Sequence, residues 1–233
     1  MDTKNNSSRV LGLAFLLQFV TSICSGTVLR QAWLVPGDIG ATMLNIANKP
    51  WLMDATILVD ILTALGIIFL GAVLFVKLRE QNEILAMTAL GFYILEAALL
   101  AVSRIAAFAL IGISQNYAIA GSPAYLLMMG NLAFQSMDFV GSTLHMLVFC
   151  LGGILFYSLL VKSRVVPVAL SLWGLIATFP MLIGTLIQIF GHSIPFIFYV
   201  PYVPFELVMA VWILVKGIQD GSETKMALEP SPN

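Results

Sequence analysis

Residues 51–76 read WLMDATILVDILTALGIIFLGAVLFV. As an α-helix this stretch would extend ~39 Å at ~1.5 Å per residue, more than the ~30 Å hydrocarbon layer of a bilayer. Beyond its first turn it carries one charged residue, Asp60, before the basic turn at Lys77 and Arg79. The stretch is therefore predicted to cross a membrane.

Working outward, similar apolar runs occupy Val10–Leu29, Ile84 to about Leu110, Val165 to about Ile189, and about Pro204 to Val215. Residues 124–161 would measure ~57 Å as one helix, too long for one untilted crossing. That segment is predicted to divide, with an interfacial helix over 124–135 leading into a fourth span that ends at Lys162. Composition agrees, with 60% hydrophobic and 10% charged residues against roughly 25% charged in an ordinary soluble domain. The fold class expected is all-α: a polytopic membrane helical bundle of six transmembrane helices over residues 1–216. Short interfacial helices lie in the outer loops, and a polar, disordered cytoplasmic tail covers 217–233.

The first run follows Lys4 and Arg9 but exceeds the ~7–15 apolar residues of a signal peptide. No A-x-A site follows it, and Ile23 before Cys24 spoils a lipoprotein cleavage site. It is expected to remain as a helix. Cys24 and Cys150 lie in apolar runs without metal-type spacing and read as small core residues.

Lys and Arg stay on the cytoplasmic side of a membrane. Eight of the eleven fall on one side of this layout: Lys4, Arg9, Lys77, Arg79, Lys162, Arg164, Lys216 and Lys225. Arg30 and Lys49 fall in the opposite loops, and Arg104 lies in or near the third span. Both termini are thus expected in the cytoplasm, with the protein in the cell membrane (a bacterial inner or plasma membrane). Net charge is -1 with no basic block, which sets nucleic acid aside as a partner. Membrane lipid and a small-molecule ligand are the partners expected, and no motif specifies an oligomeric state.

In the first outer loop Asp38 precedes Ile39, Met43, Leu44 and Ile46, the pattern of an N-capped amphipathic helix at the interface. No internal repeat supports an inverted-repeat transporter.

The loop residues Val35-Pro36-Gly37-Asp38, then Ala41-Thr42 and Asn45-Ile46, resemble a signature of an uncharacterised bacterial family of multi-pass membrane proteins, domain of unknown function 4386. Similar matches occur at Leu58-Val59-Asp60-Ile61-Leu62, at Lys162-Ser163 with Pro167, and from Glu206-Leu207 through Trp212 and Leu214 to Lys216-Gly217. The resemblance spans nearly the whole chain and implies architecture, not chemistry. His145 departs from the family pattern, so no family-wide catalytic role attaches to it.

Polar groups within the apolar runs are the candidate site. Counted from the basic turns, Asp60 and His145 lie ~25 Å up their helices, Glu96 ~20 Å, Arg104 ~31 Å and Glu206 ~15 Å. Three carboxylates, Asp60, Glu96 and Glu206, face one permanent cation, Arg104. Burial disfavours the charged form of a carboxyl, so at least one of the three is expected to be protonated. Arg104, near the outer boundary, is expected to snorkel. Asn131, Gln135, Asp138, Ser142 and His145, spaced 4-3-4-3, fall on one helix face. Thr56, Asp60 and Thr63 form a second stripe, and Thr185, Gln188 and His192 a third, with His192 itself read as a loop histidine before the helix-breaking Pro195.

Such stripes serve either as interhelical glue, at ~0.6 kcal/mol per hydrogen bond, or as a functional cavity open to the outside. On the second reading the ligand-binding residues are Asp60, Glu96, Arg104, Asp138, Ser142, His145 and Glu206. No HExxH, GxSxG or GxxxxGK[ST] occurs, and two histidines fall short of a zinc site, so neither metal nor cofactor is expected.

Three functions remain open. The chain binds a small amphiphile, lipid or cation in the cavity without catalysis. Or it is an intramembrane enzyme on a lipid or isoprenoid, with Glu96 or Glu206 as acid and His145 or Asp60 as base. Or it is a transporter, which the apolar inner ends Phe75-Val76, Leu159–Val161 and Ile213–Val215 disfavour.

Overall fold

A computed structural model describes the backbone of residues 3–217 and the side chains of residues 9–217; of the tail expected over 217–233, all but Gly217 lies outside the described residues. All regular structure in that range is helical. Nine α-helices follow in order: α1 (Thr3–Ile23), α2 (Arg30–Trp33), α3 (Ile39–Asn48), α4 (Pro50–Leu78), α5 (Glu83–Ile119), α6 (Ala124–Asp138), α7 (His145–Ser163), α8 (Val168–Ile189) and α9 (Val203–Lys216). π-Helical segments Cys24–Leu29 and Phe139–Leu144 join α1 to α2 and α6 to α7 without breaking the helix. Six helical stretches among the described residues are long and apolar enough to cross a membrane: Arg9–Trp33, Pro50–Leu78, Glu83–Ile119, Ala124–Ser163, Val168–Ile189 and Phe196–Lys216.

Two expected boundaries are corrected. The segment from Ala124 does not divide at Gln135; it runs to Ser163 as one helical stretch, because no proline stands between 124 and 163 and the π segment absorbs the irregularity within the helix. The third span continues past Leu110 to Ile119, burying Leu110, Ser114 and Tyr117. It ends where Gly121 and Ser122 adopt φ of 74° and 63° and Ser122 N–H donates to Tyr117 O at 2.8 Å, before Pro123.

The contacts of the chain group it into two compact units. One comprises residues 17–67 and 94–148. The other comprises 1–16, 68–93 and 149–233. Helices α1, α4, α5 and α7 contribute to both.

In the 17–67/94–148 unit, Trp33, Met43, Ile46, Met53, Ala107 and Met137 form part of one apolar core. The loop carrying the Val35–Asp38 signature closes over it. Asp38 caps α3 as expected, accepting from Ala41 N–H at 2.9 Å. Gly37 adopts φ 79°, a conformation that costs a side-chain-bearing residue. Thr42 Oγ1 accepts from Val35 N–H at 2.9 Å and donates to Asp38 O at 2.8 Å. The signature residues thus fold the loop back onto α3.

In the other unit aromatic rings pack within the core. Tyr93 meets Phe156 edge-on at 4.9 Å, and Tyr157 meets Phe205 edge-on at 5.2 Å. The Phe205 ring lies on α8 at Gly174, where any Cβ would collide with it.

Candidate functional site

The 17–67/94–148 unit holds six of the seven predicted site residues. On α4, Asp60 faces α5, and its Oδ2 accepts from Arg104 Nη1 at 2.7 Å. The guanidinium also donates from Nε and Nη2 to Ser103 Oγ at 2.9 and 2.8 Å, and Ser103 in turn donates to Leu100 O at 2.6 Å. Ser25, in the first π segment, lies beside the Asp60 carboxylate. Both charged side chains are about nine-tenths buried. Arg104 therefore does not snorkel. Its helix runs on to Ile119, ~22 Å further at 1.5 Å per residue, so turning inward to a carboxylate is the available way to satisfy its charge.

A second ion pair flanks the first. Arg30, directly after the first π segment, donates from Nη2 to Asp138 Oδ1 at 2.7 Å; Asp138 directly precedes the second π segment. Ser142 Oγ donates to the same oxygen at 3.1 Å. The side chains of Arg30 and Asp138 remain 30% and 38% exposed, and the Arg30 guanidinium lies 6.0 Å from the Trp33 ring centroid. Trp33 is held in place by donating from Nε1 to Thr56 Oγ1 at 3.2 Å. Each pair lies in the electrostatic field of the other.

The second π segment makes room for this arrangement. A Cβ at Gly141 would collide with the Arg104 guanidinium and with Ser103 Oγ. Single-turn π bulges inside α-helices occur frequently at functional sites, and here two of them border one charge network.

A third pair completes the set. His145 Nε2 lies 3.6 Å from Glu96 Oε1, with Glu96 almost fully buried. Across these three pairs two permanent cations thus stand among three carboxylates, the imidazole beside Glu96 counting as a cation only if protonated, and the expected excess of carboxylates over permanent cations remains. Arg30 is the residue the sequence reading misplaced, in an outer loop; the helix carries on through it to Trp33.

The polar stripe of the fourth span resolves into separate contacts. Gln135 donates to Asn131 at 3.3 Å, Asp138 and Ser142 pair, and His145 meets Glu96. Elsewhere Thr56, Thr63 and Thr185 donate to the carbonyls of Leu52, Val59 and Met181, Gln188 accepts from Tyr199 at 3.1 Å, and His192 is exposed in the loop after α8. A cleft of about 280 Å³ is lined by Leu34 to Ile39, Thr42, Asn131 and Phe134; none of the seven predicted residues lines it. Glu206, the seventh, belongs to the other unit, at the start of α9. Among the described residues no group of three His, Cys, Asp or Glu is placed to hold a metal ion.

Six apolar helices, each long enough to cross a membrane, define a multi-pass membrane protein. The chain belongs to the family described as domain of unknown function (DUF4386), which matches residues 10–217. No curated protein and no solved structure matches it.

Proposed function

We propose that the protein binds a small amphiphile without transforming it, the ligand's polar group engaging the Arg30–Asp138 pair on the extracytoplasmic side, with both termini cytoplasmic. The observation that carries this reading is an ion pair one-third exposed, bordered by two π segments, within predominantly apolar helical stretches. A charged side chain at mid-bilayer costs about 2.5–3.5 kcal/mol on insertion scales, and each Leu, Ile, Val or Phe returns only about 0.3–0.6. Helix association alone is a weak reason to keep such groups, at ~0.6 kcal/mol per hydrogen bond. The planar guanidinium fork suits a carboxylate or phosphate, while Asp138 and Ser142 suit an ammonium or hydroxyl group.

Native mass spectrometry of the detergent-purified protein tests this. A co-purifying amphiphile is expected on the wild type and is expected to be lost in Arg30→Gln at an unchanged melting temperature. An adduct equally abundant in both, or none in either, contradicts the reading.

A second reading is supported by one distance. His145 and Glu96, at 3.6 Å, lie just beyond the ~2.6–3.2 Å of a direct proton-transfer contact, a gap that tightening around a bound substrate closes. This suits acid–base chemistry on a lipid or isoprenoid, with Glu96 as acid and His145 as base. Product formation from such substrates in vesicles, abolished by His145→Gln, is the expected outcome; no conversion of phospholipid or isoprenoid probes removes it.

A further inference from the structure

Glu206 sits in the first turn of α9 and is 9% exposed. Its backbone N–H donates to Tyr202 O at 3.1 Å. The Tyr202 hydroxyl lies in the field of the Glu206 carboxyl and stands 2.5 Å from the Tyr157 hydroxyl. Both tyrosines are buried, and Phe149 and Phe205 pack against the Tyr202 ring at 5.2 and 5.4 Å between centroids.

The ionisable neighbours from each packed element are few. From α7 comes Tyr157, and from α5 Tyr93, which also bears on Tyr202. Helix α8, which packs on α9, carries no ionisable side chain between Val168 and Ile189, and α1, whose Gly12 lies against Leu214 of α9, carries among its described side chains only the exposed Arg9. On α9 itself Lys216 lies ~15 Å away along the axis at 1.5 Å per residue. Among the described residues no Lys, Arg or His lies within ion-pair distance of Glu206. A buried carboxyl without a cation neutralises rather than remaining charged in an apolar surround. The helix N-terminus favours the anion, but that effect is small and confined to the first turn.

We propose that Glu206, backed by the Tyr157–Tyr202 hydroxyl pair, is a proton-binding site of the 1–16/68–93/149–233 unit. Its ligand is a proton. No residue is shared with the Arg30–Asp138 network, so the two assignments fail independently.

Dicyclohexylcarbodiimide, an apolar reagent, tests this on the full-length protein in proteoliposomes. A protonated carboxyl adds across a C=N bond of the reagent, and an acyl shift from oxygen to nitrogen leaves a stable N-acylurea with no atom lost. Peptide mapping is expected to find Glu206 labelled at neutral pH, with labelling falling about tenfold per pH unit once the proton is lost under alkaline conditions. Glu206→Gln abolishes the label, and Tyr157→Phe keeps it while moving the pH midpoint. Absence of the label on wild-type Glu206 at neutral pH, or a label that does not decline in alkali, overturns the proposal.

Discussion

Arg104 Nη1 stands 2.7 Å from Asp60 Oδ2 across the α4–α5 contact, with the side chains 11% and 9% exposed. Forty-four residues separate them in the chain. The remaining guanidinium nitrogens turn to Ser103, so the cation is satisfied from within a single unit. Removing one partner of such a pair leaves an uncompensated buried charge.

Arg104→Met is therefore expected to destabilise the protein by about 3–5 kcal/mol, and Asp60→Leu combined with Arg104→Met to recover most of that loss. Thermal unfolding in detergent checks both. A double variant no more stable than the single one contradicts the pairing.

Gly141 stands against Arg104 and Ser103 with no space for a Cβ. Gly141→Ala is expected to cost about 1–3 kcal/mol through overpacking. In an Arg104→Ala background the cost shrinks, and the double-mutant cycle returns a coupling energy of at least about 0.5 kcal/mol. Additive effects would show that the glycine serves something other than the guanidinium.

Much of the fold was legible in the residues. The run from Trp51 to Val76 declared a membrane span, and Asp38 before Ile39 declared a capped helix; both features appear where they were read. The charge network was legible only in part. Asp60, Glu96, Arg104, Asp138, Ser142 and His145 stand out in the sequence because polar groups are expensive in apolar runs, and Arg104 stands out as the cation for the deep carboxylates; which carboxylate it meets, and Arg30 as the partner of Asp138, do not. The apolar run before Arg30 ends at Leu29, which on sequence alone puts Arg30 in a loop, whereas the helix passes through it to Trp33. The 4-3-4-3 stripe assumed a uniform 3.6-residue turn. The π segment over Phe139–Leu144 changes that turn; Ser142 meets Asp138 at the ordinary i, i+4 spacing, while His145, beyond the segment, meets Glu96. No residue-spacing rule announces a π segment, and Gly141 was its one trace in the sequence.

The loop signature makes its own prediction. Asp38→Ala removes the bond to Ala41 N–H and is expected to cost about 1 kcal/mol. Gly37→Ala forces a left-handed backbone on a residue with a Cβ and is expected to cost roughly 1–2 kcal/mol. Melting temperatures of the two variants check this, and an unchanged value for both contradicts the capping role.

Orientation can be read with cysteines placed in a background where Cys24 and Cys150 are replaced. The Lys and Arg distribution predicts that a thiol at Gln81→Cys reacts only after the membrane is permeabilised in intact cells, while one at Pro36→Cys reacts with an impermeant maleimide from outside. The opposite pattern would invert the topology.

The central claim is that an amphiphile binds at the Arg30–Asp138 pair. A photoactivatable fatty amphiphile with its diazirine beside the polar group, irradiated with the protein in vesicles, tests it most directly. Crosslinked peptides are expected to concentrate around Arg30 and Asp138–Ser142 and to disappear in Asp138→Asn. Crosslinks spread evenly over the lipid-facing side chains, indifferent to Asp138→Asn, would contradict it.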